Sequence, residues 1–303
     1  LILANVKSNE KVLTHLSLYG GTQELVDKVL PNCGIETIII DFKDLHLVEE
    51  TLKNDATIKL LYLETPANPT LQCVDIEALT QIAHRNGCRV SVDNTFATPY
   101  LQQPFKFGVD FVMHSTTKFL NGHGTAVGGV LLGRDLEWMG TKVTKHHRLL
   151  GGNSNAFDAF LLNNGLKTLQ LRMEKHCANA EMVAAFLNAH SNVDLVNYLG
   201  LEQHPDYHLC KKQMRHAGAL MSFEVKGGFE AAKKFINQLS LCTSAVSLGT
   251  CDTLISHPAS TTHVGVAPEL RLKSGITDGL IRMSVGIEDV EDILGDLENA
   301  LRL

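Results

Sequence analysis

The sequence predicts an α/β protein: a mostly parallel sheet with helices on both faces, followed by a smaller α+β unit. Three observations predict it. To about residue 135, short β-branched and apolar runs alternate with helical segments, the signature of a doubly wound sheet. Those runs stop abruptly at polar residues, Asp93-Asn94-Thr95 after one and His114-Ser115-Thr116-Thr117-Lys118 after another, as strands do where a parallel sheet opens its carboxyl ends to a ligand crevice. From Asn155 the pattern becomes long and helical, and the strands that follow it are fewer and more widely spaced.

Taken in order, Lys11 to Leu16 reads as a strand ending at Ser17-Leu18-Tyr19-Gly20-Gly21, and Thr22 is expected to cap a helix through Leu30. Ile35 to Ile40 is a second strand, followed by a helix around Asp44 to Asn54. Leu60 to Leu63 is a third, ended by Glu64-Thr65-Pro66-Ala67-Asn68-Pro69, where two prolines stop the strand and stiffen a loop. Asp75 opens the helix that returns to the strand Arg89 to Val92, and Asp110 to Met113 is the next strand. One helix is expected from Asn155 to about Ala189, linking the two units. Beyond it come a strand within His216 to Lys226, a helix from Gly228 to Leu239, a strand from Thr243 to Leu248, and a final helix from Val290 to Leu301. Tyr19, Asn68, Asp93, Ser115 and Lys118 therefore all fall just past strand carboxyl ends, which share one crevice in an open sheet.

Composition narrows the function classes. With 303 residues there is chain enough for two domains, and a net charge of −6 leaves no basic face for nucleic acid or anionic membrane. No apolar run approaches the roughly 18 residues of a membrane span. Seven cysteines, none spaced Cys-x-x-Cys, argue against a disulfide framework or structural zinc. Cys33, Cys88 and Cys177 are expected to be reduced core residues, as in a cytoplasmic protein. No His-Glu-x-x-His is present, and no metal is expected. Gly122, Gly124 and Gly128 are spaced Gly-x-Gly-x-x-x-Gly ahead of a strand, which is not a dinucleotide fingerprint.

An aspartate, a lysine and hydroxyls at strand ends match the needs of pyridoxal 5′-phosphate. That cofactor requires a lysine for its Schiff base, a carboxylate to keep the pyridine nitrogen protonated, and donors for its phosphate. Lys118 would be the first, Asp93 the second, and Ser115 with Thr117 part of the third. A solvated lysine beside an ordinary turn would answer the same description. For Asn68, a bond to the cofactor's ring oxygen stands against a bond to its own backbone. For Arg282, bidentate binding of a substrate α-carboxylate stands against an internal ion pair with Asp278 or Glu288.

The wording of the chain decides more than its spacing does. VDNTFATPYLQQPFKFGVDFVMHSTTKFLNGHG, together with LYGGT, YLETPANPT, LKTLQLRMEKHCANA, HPASTTH and GITDGLIRMSVGIED in that order, closely resembles the cystathionine/methionine-metabolism family of pyridoxal phosphate enzymes. The resemblance covers nearly the whole chain. It implies the aspartate-aminotransferase-like fold (type I), a cofactor-binding large domain over 1–169 and a small domain over 170–303. It implies that Tyr19 stacks on the cofactor and serves the leaving group, that Arg282 grips the substrate carboxylate, and that Ser247 and Thr262 lie beside it. It also implies a homotetramer built from dimers.

The implied activity is γ-elimination of methionine or cystathionine. The alternative is γ-replacement, as in O-acetylhomoserine sulfhydrylases or cystathionine γ-synthases, and a non-catalytic scaffold is the alternative of another class. Gly21, where methionine γ-lyases usually carry cysteine, is as in cystathionine γ-lyases, whereas Thr125 and HPASTTH look more like the sulfhydrylases. The residue at 21 is expected to face the substrate's γ-group. The family's phosphate loop and its arm to a neighbouring subunit would both precede Leu1, so this sequence is expected to be part of a longer chain.

Overall fold

The first sheet is built as the alternation requires. In the computed structural model, which describes residues 1–262, 264, 268–273 and 275–302, six strands lie in the order β2-β1-β3-β4-β5-β6. They are β1 (Lys11–His15), β2 (Glu36–Ile40), β3 (Ile58–Glu64), β4 (Arg89–Asp93), β5 (Phe111–Ser115) and β6 (Gly129–Gly133). β1 to β5 pair in parallel, and β6 joins β5 antiparallel. Leu13, Leu61, Val90, Val92 and Val112 pack on one face, while Val12, Leu60, Tyr62 and Phe111 pack on the other. Burial on both faces is why these strands read as unbroken apolar runs. The returning helices start where expected: Asp44 caps Leu45–Asn54 and Asp75 caps Ile76–Arg85, each carboxylate accepting a backbone N–H of the first turn.

The second sheet holds β7 (Val193–Asn197), β8 (Leu220–Val225), β9 (Thr243–Ser244), β10 (Leu254–Ser256) and β11 (Leu280–Ser284), in the order β7-β8-β11-β10-β9. Its pairs are antiparallel except the parallel β9–β10. The Leu169–Ala189 helix packs Met173, Cys177, Ala180, Val183 and Leu187 into the core that this sheet shares with Phe119 and Leu120 of the first unit.

Four expectations need correction. The single helix from Asn155 is two, Ala156–Lys167 and Leu169–Ala189, broken at Thr168, whose φ of −110° and ψ of 7° leave the helical region. Thr22 does not cap its helix: the helix begins at Gly20, and the Thr22 hydroxyl bonds Glu64 instead. The strand expected to reach Leu248 ends at Ser244, which frees Val246 and Ser247 to turn their carbonyls toward Arg282. Cys33 is exposed at a helix terminus rather than buried, although all seven cysteines are free thiols. Among the described residues no helix is long and apolar enough to cross a membrane, and no cluster of three or more ligating side chains could hold a metal.

Candidate active site

The carboxyl ends of β1, β3, β4 and β5 meet as parallel pairing dictates, and each contributes polar groups. At the end of β4, Asp93 accepts the Thr95 N–H (2.9 Å) and hydroxyl (2.5 Å), both on Oδ1. The Thr95 hydroxyl in turn accepts the Ser115 N–H at 2.8 Å, which ties the end of β5 to that of β4. Enclosure by protein pushes the Asp93 carboxyl up, against the pull of the Thr95 bonds. No cation pairs with it among the described residues, and Oδ2 is left for a further donor.

Lys118 interrupts the turn Thr116–Leu120 with extended backbone, φ −92° and ψ −139°. Its ammonium reaches across to the segment after β9 and donates to Ser247 Oγ at 3.2 Å. Burial and, after it, the Arg282 charge push its pKa down, which favours the neutral amine. The Ser115 hydroxyl makes no hydrogen bond among the described residues, while that of Thr117 exchanges bonds with the Gly128 N–H (3.1 Å) and carbonyl (3.4 Å). Gly122 and Gly124 have φ of +73° and +64°, so the loop past Lys118 needs them.

Arg282, on β11 and 3% exposed, donates to Asn68 Oδ1 (3.3 Å) and to the carbonyls of Val246 (3.0 Å) and Ser247 (2.8 Å). Neither carboxylate considered from sequence pairs with it: Asp278 bonds Arg271, and Glu288 accepts from Thr253. Its Nε is buried without a partner. Burial brings its pKa down to about 10, opposed by Tyr19, whose hydroxyl lies within electrostatic reach. A buried guanidinium facing only carbonyls and an amide lacks the anion its fork geometry is made for. Asn68 is therefore a partner of Arg282, as well as a group at the end of β3.

Tyr19 is 55% exposed at the mouth, and its backbone N–H donates to Glu64 Oε2 at 2.8 Å. The Thr262 carbonyl lies 3.8 Å from where a Cβ on Gly20 would stand, which brings that residue to the same mouth. A Cβ on Gly21 would come 2.8 Å from Tyr19 Cε1, so position 21 addresses the tyrosine ring before anything beyond it.

Sequence reasoning missed Glu64 and Thr95. Glu64 is buried, and burial followed by the nearby Asp93 pushes its carboxyl up to about 8. For Thr95 a signal existed, since an aspartate at a strand end bonds the backbone two residues on.

The lysine amine bonds Ser247, whose carbonyl the carboxylate-free Arg282 holds, while an aspartate without a counter-cation and an unused serine hydroxyl end the neighbouring strands β4 and β5. That donor set fits pyridoxal phosphate carrying an amino acid. A family model described as "Cys/Met metabolism PLP-dependent enzyme" matches residues 1–302. The chain belongs to this family. It is 48% identical over 302 residues to L-methionine γ-lyase of Fusobacterium nucleatum subsp. nucleatum, covering 98% of this chain and 75% of that one. It is 42% identical over 297 residues to cystathionine β-lyase MetC of Bacillus subtilis, covering 98% and 75%. Cystathionine γ-synthase of Xanthomonas oryzae pv. oryzae superposes with a TM-score of 0.95 at 38% identity, over 98% of this chain and 76% of that one. The Cys/Met metabolism enzyme described here is thus pyridoxal-phosphate-dependent, with the type I fold of those structures.

Proposed function

We propose that this chain carries out γ-elimination on methionine or cystathionine, consuming water and releasing 2-oxobutanoate, ammonia and a thiol. The observation that carries an amino-acid substrate is Arg282, buried, without a carboxylate and with Nε unpaired. Bound pyridoxal phosphate supplies the electron sink that makes the Cα and Cβ protons of an amino acid removable. Lys118 holds the cofactor, and its depressed pKa suits it to take the Cα proton once released. Asp93, with Oδ2 still open, would keep a proton on the ring nitrogen, and Ser115 and Thr117 would supply donors to the phosphate. Arg282 grips the α-carboxylate with Asn68 and Ser247 bracing it. Tyr19, with Arg282 as the nearby cation, hands a proton to the departing sulfur, and Thr262 lines the same mouth.

Elimination is supported by the names of both relatives, which are lyases, and the γ-position by the higher identity to the methionine γ-lyase than to the β-lyase. The likeness to a cystathionine γ-synthase favours γ-replacement as the second reading. The Thr125 hydroxyl, which pointed toward replacement, is engaged with the Asn121 side chain. Product analysis decides: the first reading expects methionine and cystathionine to yield 2-oxobutanoate faster than O-acetylhomoserine with sulfide yields homocysteine, and the reverse order overturns it.

The proposal includes two domains, 1–169 and 170–303, on the support of two separate sheets joined by the Leu169–Ala189 helix. It also includes a cytoplasmic homotetramer built from dimers. Leu149, Leu150, Phe157, Phe160 and Leu171 are all more than half exposed on consecutive helices, a surface suited to a second copy. Free thiols throughout suit a reducing compartment.

A further inference from the structure

Arg172 is a buried cation that the chemistry above does not use. It is 4% exposed, and no carboxylate pairs with it among the described residues. Its fork is spent on backbone. Nη1 donates to the Phe119 carbonyl at 2.8 Å; Nη2 donates to the carbonyls of Gly165 at 2.7 Å and Leu120 at 3.5 Å; Nε donates to Thr168 Oγ1 at 3.1 Å. These acceptors belong to the turn that carries Lys118, to the last turn of the Ala156–Lys167 helix, and to the joint before the Leu169–Ala189 helix.

Burying a guanidinium without a counter-ion is costly, and an apolar side chain of similar volume would fill the same space more cheaply. What the arginine supplies is a planar fork that donates to carbonyls at two helix ends, where partial negative charge gathers; the Gly165 carbonyl also accepts from Thr168, through its N–H and its hydroxyl, both at 3.3 Å. The surroundings are shaped to it. A Cβ on Gly122 would collide with Arg172 Nη1, and one on Gly165 with the Asn121 carbonyl. One turn further along the same helix, His176 sets its ring edge-on to Phe119 at 5.3 Å and donates to the carbonyl of Val285, the residue after the end of β11, at 2.7 Å. The segment after Lys118 is thus held by one helix that also reaches the strand bearing Arg282.

We propose that Arg172 is a positioning residue for Lys118: by fixing the carbonyls of Phe119 and Leu120 to the start of the Leu169–Ala189 helix, it sets where the lysine amine stands. The inference rests on Lys118 being the cofactor lysine. Lysine at 172 keeps the charge but gathers its donors on one nitrogen and lacks the fork that reaches the Phe119 and Gly165 carbonyls from separate nitrogens, so the turn should loosen while the fold stays.

The test is Arg172→Lys, with Arg172→Ala as a second variant, in the full-length enzyme. Hydrogen exchange on the cofactor-free protein should show the amides of 119–122 exchanging faster in Arg172→Lys, with the strands of both sheets unchanged. In the loaded enzyme kcat should fall about 10–100-fold, the cost of misplacing a reacting group by roughly an ångström, with KM held within about threefold. The pH midpoint of the bound cofactor's absorbance should move, and added methylguanidinium should restore part of the activity of Arg172→Ala. Unchanged exchange at 119–122 with a wild-type midpoint overturns the proposal, as does activity lost only in proportion to thermal stability. Borohydride labelling of the wild type separates the two claims. Label on Lys118 with an unmoved midpoint overturns the role of Arg172 alone, and label on a different lysine overturns the assignment of Lys118.

Discussion

Glu64 and Asp93 are register partners at the ends of β3 and β4, two neighbouring carboxyls with no cation paired to either among the described residues. Both cannot be charged cheaply in that enclosure: burial pushes both carboxyls up, that of Glu64 to about 8. Its Oε2 accepts the Tyr19 N–H, so the proton-holding carboxyl also anchors the residue at the mouth of the site.

The consequence is a pH-dependent stability with a definite sign. Between the ordinary glutamate value of 4.5 and about 8, folded Glu64 keeps a proton that the unfolded chain has lost. Stability of the cofactor-free protein should therefore decline as pH rises through that window, by at most about 1.4 kcal/mol per pH unit. Glu64→Gln keeps an acceptor for Tyr19 and cannot ionise, so its urea midpoint should decline less. The difference between the two proteins cancels the buried histidines His114 and His176, whose pKa values are lowered to about 4 by burial. Parallel curves would show that Glu64 is not the proton holder.

Arg282→Lys tests the carboxylate grip. The substitution keeps a charge beside Asn68 and Ser247 but loses the fork, and amino-acid affinity should drop by about 1–3 kcal/mol. The decarboxylated amine should lose little. If the variant and the wild type show the same selectivity between acid and amine, Arg282 is structural.

Gly21 bears on substrate preference through Tyr19. Position 21 is where the sequence places a contact to the substrate's γ-group, yet the Cβ of a cysteine there would first meet the Tyr19 ring. Gly21→Cys should thus displace that ring and lower kcat on methionine and cystathionine alike. A changed ratio between the two with kcat maintained would show that the side chain passes the ring and reaches the γ-group.

Much of this was legible in the sequence because it depends on local pattern. Strand ends at Asp93 and Ser115 follow from apolar runs meeting polar residues, and parallel pairing does the rest. What was illegible depends on distant partners. Nothing near Glu64 in sequence says that a solvent-loving side chain is buried and accepts the Tyr19 backbone N–H, and nothing near Arg172 says that carbonyls of 119, 120 and 165 converge on it. The break at Thr168 was hidden for the same reason: its hydroxyl serves Arg172 rather than capping a helix.

The proposed chemistry depends first on Lys118, which donates to Ser247 from the turn that Arg172 holds. Borohydride reduction of the full-length enzyme followed by peptide mapping tests it most directly. The account predicts a yellow protein whose colour is lost on reduction and a pyridoxyl group on Lys118 alone. The label on any other lysine, or no label on a protein that remains active, would contradict it.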